Sequence, residues 1–435
     1  MARAKKEAAL TPEERLQAAL VPDWEWPYEL PENWCWTYQK AVCSLSTGEK
    51  RIGNDYPYWE VKCLRGITLP QIVSSGNFVP VFSKVILVDG ENSGEVFTIL
   101  TSGYMGSTFK MLQISAVVFP KYLELFILSN KDVYRNRKTG SAIPHLNKEL
   151  FFSTPFPLPP LAEQQRIVDR IESLFAKLDE AKEKEQAVVD SFETRKAAIL
   201  HKAFTGELTA KWREEHGVGM ESWEHHQFSD LCAIVRGGSP RPAGDPRYYD
   251  GNIPFMKVAD ITRNDSPYVS KVEYSIKEEG LKKTRMVEAN TLLLTNSGAT
   301  LGVPAITTIR TTFNDGIAAF IGLDIDSLLF YYYFWTSKTA FLRSINMGAA
   351  QPNLNTKLIG EVEIDVPQTA ERVEIARVLN ALLSKEQQAK EAAEAVLDQI
   401  DLMKKSIPAR AFRGELGTND PSEESAVELL KRTIL

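Results

Sequence analysis

Residues 159–208 read PPLAEQQRIVDRIESLFAKLDEAKEKEQAVVDSFETRKAAILHKAFTGEL, and a second copy of this stretch occupies residues 367–416. The two copies align without a gap at an offset of 208 residues, and 19 of the 50 aligned positions are identical. Internal repeats are sought first because they decide the architecture of a chain. Two unrelated surface helices would not keep such a register, so the chain contains a duplicated element.

Both copies carry apolar residues at alternating spacings of four and three, over about five heptads, which is typical of the seam of a coiled coil. A helix of about 45 residues is about 67 Å long at 1.5 Å per residue, and one such helix cannot bury its apolar stripe alone. Two helices separated by a long segment can pack antiparallel. The predicted seam residues are Ile167, Ile171, Leu174, Leu178, Val188, Phe192, Ile375, Leu379, Leu382, Val396, Ile400 and Met403.

Outside the two copies the chain loses helical periodicity and shows short apolar strands with Gly-rich turns. Both regions contain an apolar strand ending in Ser-Gly (VILVDGENSG and LLLTNSG), and the 208-residue offset extends back to Gly140 and Gly348. We therefore predict an α+β fold in which two mixed α/β globular domains are separated by two long helices, with pseudo-two-fold symmetry. The predicted divisions are an N-terminal helical segment and connector (1–33), a first globular domain (34–157), a first long helix (158–217), a second globular domain (218–365), and a second long helix with a tail (366–435).

The composition is that of a soluble protein, with 43% hydrophobic and 25% charged residues. The four cysteines form no C-x-x-C pair, and the N-terminus lacks the apolar core of a signal peptide. The longest apolar run, SLLFYYYFW, is too short to span a bilayer. The sequence therefore predicts a cytoplasmic protein with no membrane contact. Its net charge of −6 does not by itself indicate nucleic-acid binding.

No catalytic constellation is visible. The chain has no G-x-x-x-x-G-K-[ST] phosphate loop, and its five histidines have no metal-ligand spacing. A loose nuclease-like pattern joins Pro22-Asp23 to Glu60-Val61-Lys62, but matches of this kind are frequent by chance. We predict no catalytic residue and no metal site, and hence no enzyme activity.

The motif PPLAEQQRIVDRIE, the heptad helix behind it and the AF-x-GELT string resemble the specificity (S) subunits of Type I restriction–modification systems. The strings DGENSGE and GYMGSTFK resemble one class of target-recognition domain in that family. GGSPRPAGDPRYYDGNIPFMKV, NSGATLG and QPNLN resemble another class. The middle of the first domain aligns poorly with the second, so the two domains should read different half-sites.

This resemblance implies a non-catalytic subunit in which each globular domain reads one half of a bipartite double-stranded DNA site. The antiparallel coiled coil then sets the spacing and docks two methyltransferase (M) subunits, and restriction/translocase (R) subunits join the assembled complex. S-adenosylmethionine, ATP and Mg are expected only on those partners, so this chain needs no cofactor.

Cations would contact phosphates, and polar side chains at loop tips would read base edges. The candidate DNA-binding residues are Asn92, Ser93, Ser107, Thr108 and Lys110 in the first domain, and Arg236, Ser239, Arg241, Arg247, Tyr248, Lys257, Arg263, Asn264, Ser297 and Thr300 in the second. The alternative is a non-enzymatic coiled-coil scaffold that binds only proteins. The sequence leaves open whether residues 1–33 pack against the end of the second long helix, although the Trp/Pro-rich connector favours an anchored segment.

Overall fold

The structure, a computed structural model, describes residues 11–136, 145–344 and 354–434. The chain divides into two compact units, unit 1 (residues 1–185 and 395–435) and unit 2 (residues 186–394). Each unit contains helices and strands, which confirms the predicted α+β class. Gly140 and Gly348, the pair that ended the predicted repeat, lie outside the described residues.

Unit 1 is built on a four-stranded sheet in the order β2-β8-β5-β6, beside a small closed barrel formed by β3, β4 and β7. The first and last strands, β1 and β9, pair antiparallel. The helices are α1 (Pro12–Ala19), α2 (Gln39–Val42), α3 (Val61–Leu64), α4 (Pro120–Ser129), α5 (Lys131–Asn136), α6 (Lys148–Ser153) and α7 (Leu161–Asp190). The strands are β1 (Cys35–Tyr38), β2 (Cys43–Ser46), β3 (Glu49–Trp59), β4 (Gln71–Val79), β5 (Lys84–Leu87), β6 (Val96–Thr98), β7 (Gly103–Met105), β8 (Phe109–Ile114) and β9 (Pro155–Leu158).

Unit 2 contains a five-stranded sheet in the order β11-β19-β16-β17-β13 and a four-stranded sheet in the order β14-β12-β18-β15. Its helices are α8 (Phe192–Phe204), α9 (Ala210–His216), α10 (Phe228–Leu231), α11 (Val258–Thr262), α12 (Glu278–Leu281), α13 (Leu328–Ser344) and α14 (Thr356–Gly360). Helix α15 (Thr369–Ala411) begins in unit 2 and ends in unit 1, and α16 (Ala426–Ile434) belongs to unit 1. The strands are β10 (Glu224–Gln227), β11 (Ala233–Arg236), β12 (Tyr249–Met256), β13 (Tyr268–Val269), β14 (Tyr274–Ile276), β15 (Arg285–Val287), β16 (Thr291–Thr295), β17 (Pro304–Thr307), β18 (Thr311–Phe313), β19 (Ile317–Ile321) and β20 (Glu363–Val366).

The first predicted long helix is two helices, α7 and α8, which meet at Ser191. The Ser191 hydroxyl donates a hydrogen bond back to the Ala187 carbonyl at 2.7 Å, a contact that often bends helices. The second predicted long helix is continuous, as α15. Within each unit the helix segments run antiparallel. In unit 1 the Lys182 ammonium, near the end of α7, contacts Asp401 at 2.6 Å. Arg166, near the start of α7, contacts Glu423, which lies beyond the end of α15.

Most predicted seam residues are buried or half-buried, but two of them are not. Val396 is 37% exposed and Met403 is 48% exposed, so both lie outside the seam. Their neighbours Leu397 and Lys404 are half-buried instead. Ile400 is buried. Leu397 lies three residues before it and Lys404 four residues after it, so all three face the packed side of the helix. The Lys404 ammonium lies over the Phe175 ring at 5.7 Å, so a lysine stem covers apolar surface where methionine was expected.

The two units share one backbone register at the 208-residue offset, well beyond the repeat that the sequence reveals. Strand β5 pairs with β8 and β6 as β16 pairs with β19 and β17, residue for residue. The shared register reaches back to Phe82 and Asn290, whose amides donate to Ile99 and Thr307 at 2.7 Å in each case. In this register Gly90 corresponds to Gly298 and Gly94 to Gly302, so the Ser-Gly pairs at 93–94 and 297–298 do not occupy equivalent positions.

A buried glutamate anchors the start of each long helix. In unit 1 Glu163 accepts hydrogen bonds from the Trp34 indole at 2.7 Å and from Asn419 at 3.0 Å. In unit 2 Glu371, at the equivalent position, accepts from the Trp223 indole at 3.0 Å and from the Arg213 guanidinium at 2.6 Å. Both carboxylates are fully enclosed. Each glutamate therefore attaches the segment that precedes its globular domain in the sequence to the long helix that follows that domain.

The N-terminal segment packs on the end of α15, as expected. The Tyr28 hydroxyl donates to the Phe412 carbonyl at 3.1 Å, and the Asn33 amide donates to the Asp420 carbonyl at 2.9 Å. Among the described residues, no helix has both the length and the apolarity required to cross a membrane.

Candidate nucleic-acid interface

Each unit brings two turns together at one end of its main sheet. In unit 1 these are residues 88–95, between β5 and β6, and residues 106–108, between β7 and β8. The Val88 amide donates to the Thr108 carbonyl at 2.8 Å. In unit 2 the equivalent turns are residues 296–303 and 314–316, joined by the Asn296 amide donating to Gly316 at 2.9 Å. We call them the paired turns of each unit.

The glycines shape the first turn of each pair. Gly90 and Gly94 both have φ of 96°, and Gly298 and Gly302 have φ of 78° and 82°, a region that other residues rarely adopt. The amides of Gly94 and Gly302 donate to the strand behind them at 2.7 Å in each unit. The two turns thus have the same backbone although their other residues differ.

In unit 1 the paired turns border a groove of about 410 Å³, which is lined by Ser107, Lys110, His145, Lys148 and Asp89, together with Val88 and Leu146. The Asp89 carboxylate contacts the His145 ring at 2.7 Å. Ser107 is exposed, and Lys110 and Thr108 are half-buried. This groove therefore gathers two lysine side chains and a histidine ring beside an exposed hydroxyl.

The other two candidates of unit 1 have internal roles. The Asn92 side-chain carbonyl accepts a hydrogen bond from the Arg135 guanidinium at 2.6 Å. Ser93 is completely buried, as is its counterpart Leu301 in unit 2, so the Ser93 hydroxyl is not presented at the surface beside the groove.

In unit 2 three of the predicted residues converge on Asp315, which the sequence had not singled out. The Ser239 hydroxyl donates to its carboxylate at 2.6 Å, and the Arg236 guanidinium donates to its backbone carbonyl at 2.7 Å. Arg241, which is exposed, lies 3.5 Å from the same carboxylate. Partial burial alone would raise the pKa of Asp315, but the Ser239 hydrogen bond and the two guanidinium groups outweigh it and lower that pKa. Asp315 therefore remains an anion that orients two arginines.

A second cationic group lies on the loop before β12. Arg247 is exposed and forms a bidentate pair with Asp245, with a shortest distance of 2.6 Å, and it lies over the Tyr248 ring at 5.4 Å. Hydrogen bonds from the Arg247 side chain and backbone lower the pKa of Asp245 to about 2. Lys257 is placed over the Tyr274 ring at 3.1 Å.

The remaining candidates of unit 2 differ in exposure. Arg263 and Thr300 are exposed and Ser297 is half-buried. The Asn264 amide donates to the carbonyls of Ser266 and Tyr268 at 2.6 and 3.0 Å, so this residue shapes its own loop.

The surface beside the paired turns is therefore built from different residues in the two units. Ser107 in unit 1 corresponds to Asp315 in unit 2, and Lys110 corresponds to Ala318. Cations reach this place from β8 and α6 in unit 1, and from β11 and the loop after it in unit 2. Cations beside exposed polar groups suit phosphate contact and base-edge recognition.

Sequence reasoning missed His145, Lys148, Arg135, Arg343 and Asp315. The 208-residue offset carried through the whole domain could have found Asp315, as the counterpart of Ser107, and the identical pair Arg135 and Arg343, but it gives no signal for His145 and Lys148. Within the described ranges, no cluster of three or more His, Cys, Asp or Glu side chains could hold a metal ion.

Comparison with known proteins shows what the chain is similar to. A family model described as the Type I restriction modification DNA specificity domain matches residues 39–189 and 220–395. The Type I restriction enzyme EcoKI specificity subunit of Escherichia coli K12 is 22% identical over 332 residues, which cover 72% of this chain and 68% of that protein. The EcoBI specificity subunit of Escherichia coli is 26% identical over 305 residues, and the MjaIX specificity subunit of Methanocaldococcus jannaschii is 30% identical over 164 residues.

The matched part spans 62% of the EcoBI subunit and 38% of the MjaIX subunit. Among solved structures, the HsdS subunit from Thermoanaerobacter tengcongensis superposes with a TM-score of 0.63 at 18% identity, covering 89% of this chain and 99% of that one. A chain from a structure of complex assembly in the type I R-M system superposes with a TM-score of 0.67, also at 18% identity. These superpositions show a shared fold.

Proposed function

Because this chain belongs to the family of Type I restriction modification DNA specificity domains, we propose that it is the DNA specificity subunit of a Type I restriction–modification complex. The observation that carries the proposal is that the family model matches twice, once on the globular part of each unit. Each match includes one set of paired turns with cations and exposed polar groups beside them. Each unit reads one half of a bipartite double-stranded DNA site.

The two half-sites differ in sequence. The paired turns have one backbone but present different chemistry, with Ser107 and Lys110 in unit 1 against Asp315 and Ala318 in unit 2. A hydroxyl and an ammonium group complement acceptors on bases and phosphates, whereas a carboxylate accepts from the cytosine amino group or orients arginines toward guanine.

Lys110, Lys148, Arg241 and Arg247 supply phosphate contacts that position each unit without reading sequence. Such contacts make the affinity strongly salt-dependent. The sequence candidates that remain in the proposed reading or phosphate-binding set are Ser107, Thr108, Lys110, Arg241, Arg247, Lys257, Arg263, Ser297 and Thr300, and Arg236 and Ser239 hold Asp315.

The chain is non-catalytic in this proposal, and its partners supply the chemistry. Two methyltransferase subunits dock on the long helices, and restriction/translocase subunits join the assembled complex. S-adenosylmethionine, ATP and Mg bind to those partners. The outward face of α15 supports such docking, because Val396, Leu402 and Met403 expose apolar side chains there instead of entering the seam, and exposed apolar stripes are typical of interaction surfaces.

Methylation mapping tests the proposal. The chain is expressed in cells with a Type I methyltransferase subunit that it activates, and adenine methylation is mapped across the genome. We expect a split motif of two short specific blocks around a fixed spacer. Absence of methylation, when the same methyltransferase is active with another specificity subunit, would favour a protein-binding scaffold.

An exchange variant tests the division of labour between the units. Replacing residues 218–365 by the corresponding domain of another specificity subunit should change one half of the motif and leave the other half and the spacer unchanged. If both halves change, the units do not read DNA independently.

A further inference from the structure

Each unit clamps its first paired turn with an arginine from the same position of the helix that follows. Arg135 on α5 donates to the Asn92 side chain at 2.6 Å, and Arg343 on α13 donates to the Leu301 carbonyl at 3.1 Å. The two arginines are 208 residues apart, as are the turns that they hold.

This coincidence stands out because the surrounding residues have diverged. Between residues 84–136 and 292–344 only five of 53 aligned positions are identical. Three of these five are the turn glycines and the clamping arginine. The other two, Phe126 and Ser129, correspond to Phe334 and Ser337 and form the same hydroxyl-to-carbonyl hydrogen bond within each helix. Packing alone does not require these identities, since the same strand register tolerates different side chains almost everywhere else.

The base of each turn also keeps buried polar atoms without partners. Within the described part of the chain, neither polar atom of the Asn296 side chain has a hydrogen-bond partner, nor do the Ser93 hydroxyl and the Arg135 Nε. Buried atoms of this kind lower stability, so a turn that retains them in both units is not optimised for stability alone.

Resting on the proposed function, we infer that Arg135 and Arg343 are positioning residues that set the conformation of a base-reading turn in each unit. The glycines and the arginine form a common frame. The side chains that the frame presents differ between the units, as Asp89 and Glu91 in unit 1 and Ser297, Ala299 and Thr300 in unit 2. These five positions determine which bases are preferred, and the arginines act through the turns that carry them.

The test uses the full chain with its methyltransferase subunit and compares motifs from genome-wide methylation maps. Arg135→Ala should reduce discrimination about tenfold at one or two bases of one half-site, with the other half-site and the melting temperature unchanged. Arg343→Ala should do the same at the opposite half-site. The matched controls are Lys131→Ala and Lys338→Ala, which remove a cation from the same helices and should leave the motif intact.

A purely structural role would lower the melting temperature and the total methylation without altering the motif, and that result would overturn the inference. A second variant keeps the hydrogen bond between Arg135 and Asn92. Replacing Asp89 and Glu91 by their counterparts in unit 2 (D89S/E91A) should change the preferred bases in the half-site read by unit 1, and an unchanged motif would count against the inference. Failure of the proposed function is distinguishable, because then the unmodified chain itself yields no split motif.

Discussion

Unit 1 and unit 2 share the backbone of their main sheet and paired turns, yet they differ in the strands that precede this common part. In unit 1 the long strands β3 and β4 form a barrel with β7, whereas in unit 2 the strands β12, β14 and β15 form a second four-stranded sheet with β18. The common part starts at Phe82 and Asn290 and continues into the long helices. The backbone of the common part is therefore kept while the preceding strands and the side chains on the turns vary, which allows the recognition surface to change while helix attachment is kept.

The two glutamates that anchor the long helices also occupy equivalent positions but have different partners. Glu163 and Glu371 each accept from a tryptophan indole, but the remaining donors to Glu163 are neutral side chains, while Glu371 is paired with the buried Arg213. Equivalent positions can thus have unequal energetics. Three predictions compare substitutions at equivalent positions of the two units. The first pair should have equal effects on stability, the second unequal effects and the third effects of opposite sign.

Equivalent seam positions should have equal and large effects. Ile167 and Ile375 are both completely buried, so Ile167→Asp and Ile375→Asp should each lower the free energy of unfolding by about 4 kcal/mol, because a charge replaces a buried side chain. Urea denaturation of the purified chain measures this. Met403→Asp is the control and should change stability by less than about 0.5 kcal/mol. An equally large loss with Met403→Asp would restore the seam predicted from the sequence.

The two glutamate anchors should have unequal effects. Glu371→Gln leaves the Arg213 guanidinium buried without its counter-charge and should cost about 3 kcal/mol. Glu163→Gln leaves only neutral donors, and its amide oxygen can still accept from Trp34, so it should cost about 1 kcal/mol. Thermal unfolding of both variants side by side makes the comparison. Equal losses would mean that the ion pair in unit 2 adds nothing to the anchor.

The smallest effects should have opposite signs. Phe82 and Asn290 occupy the same turn with φ of 64° and 59°, a region that asparagine tolerates and a bulky aromatic does not. Because Phe82 is 75% exposed, little packing is lost on replacing it. Phe82→Asn should therefore raise the free energy of unfolding by about 1 kcal/mol, and Asn290→Phe should lower it by about the same amount.

Leu100→Thr provides the control for this pair, since Leu100 is exposed beside Phe82 and Thr308 is its counterpart. This change should be close to neutral in chemical denaturation. If Phe82→Asn destabilises the chain, the aromatic side chain makes a contribution that its exposure does not reveal.

The repeat, the long helices and the α+β class could be predicted because they depend on patterns that survive in the letters of the sequence. Helix packing requires apolar residues at a fixed period, and the AF-x-GEL ends and the two glutamates repeat unchanged. The common register of the domains could not be read in this way. Strand pairing is made by backbone groups, so residues as different as Lys84 and Leu292 can occupy equivalent positions in it.

The sequence by itself determined the duplicated architecture, the apolar stripe of each helix and the Gly-rich turns with cations near them. Only the tertiary structure decided that Leu397 and Lys404, and not Val396 and Met403, face the packed side of α15, because a spacing of three or four is equally compatible with one helix until its partner is placed. It also decided that Ser93 is buried, that Asp315 contacts Arg236, Ser239 and Arg241, and that Arg135 and Arg343 hold the turns. These contacts join residues 40 or more positions apart, and no local pattern encodes them.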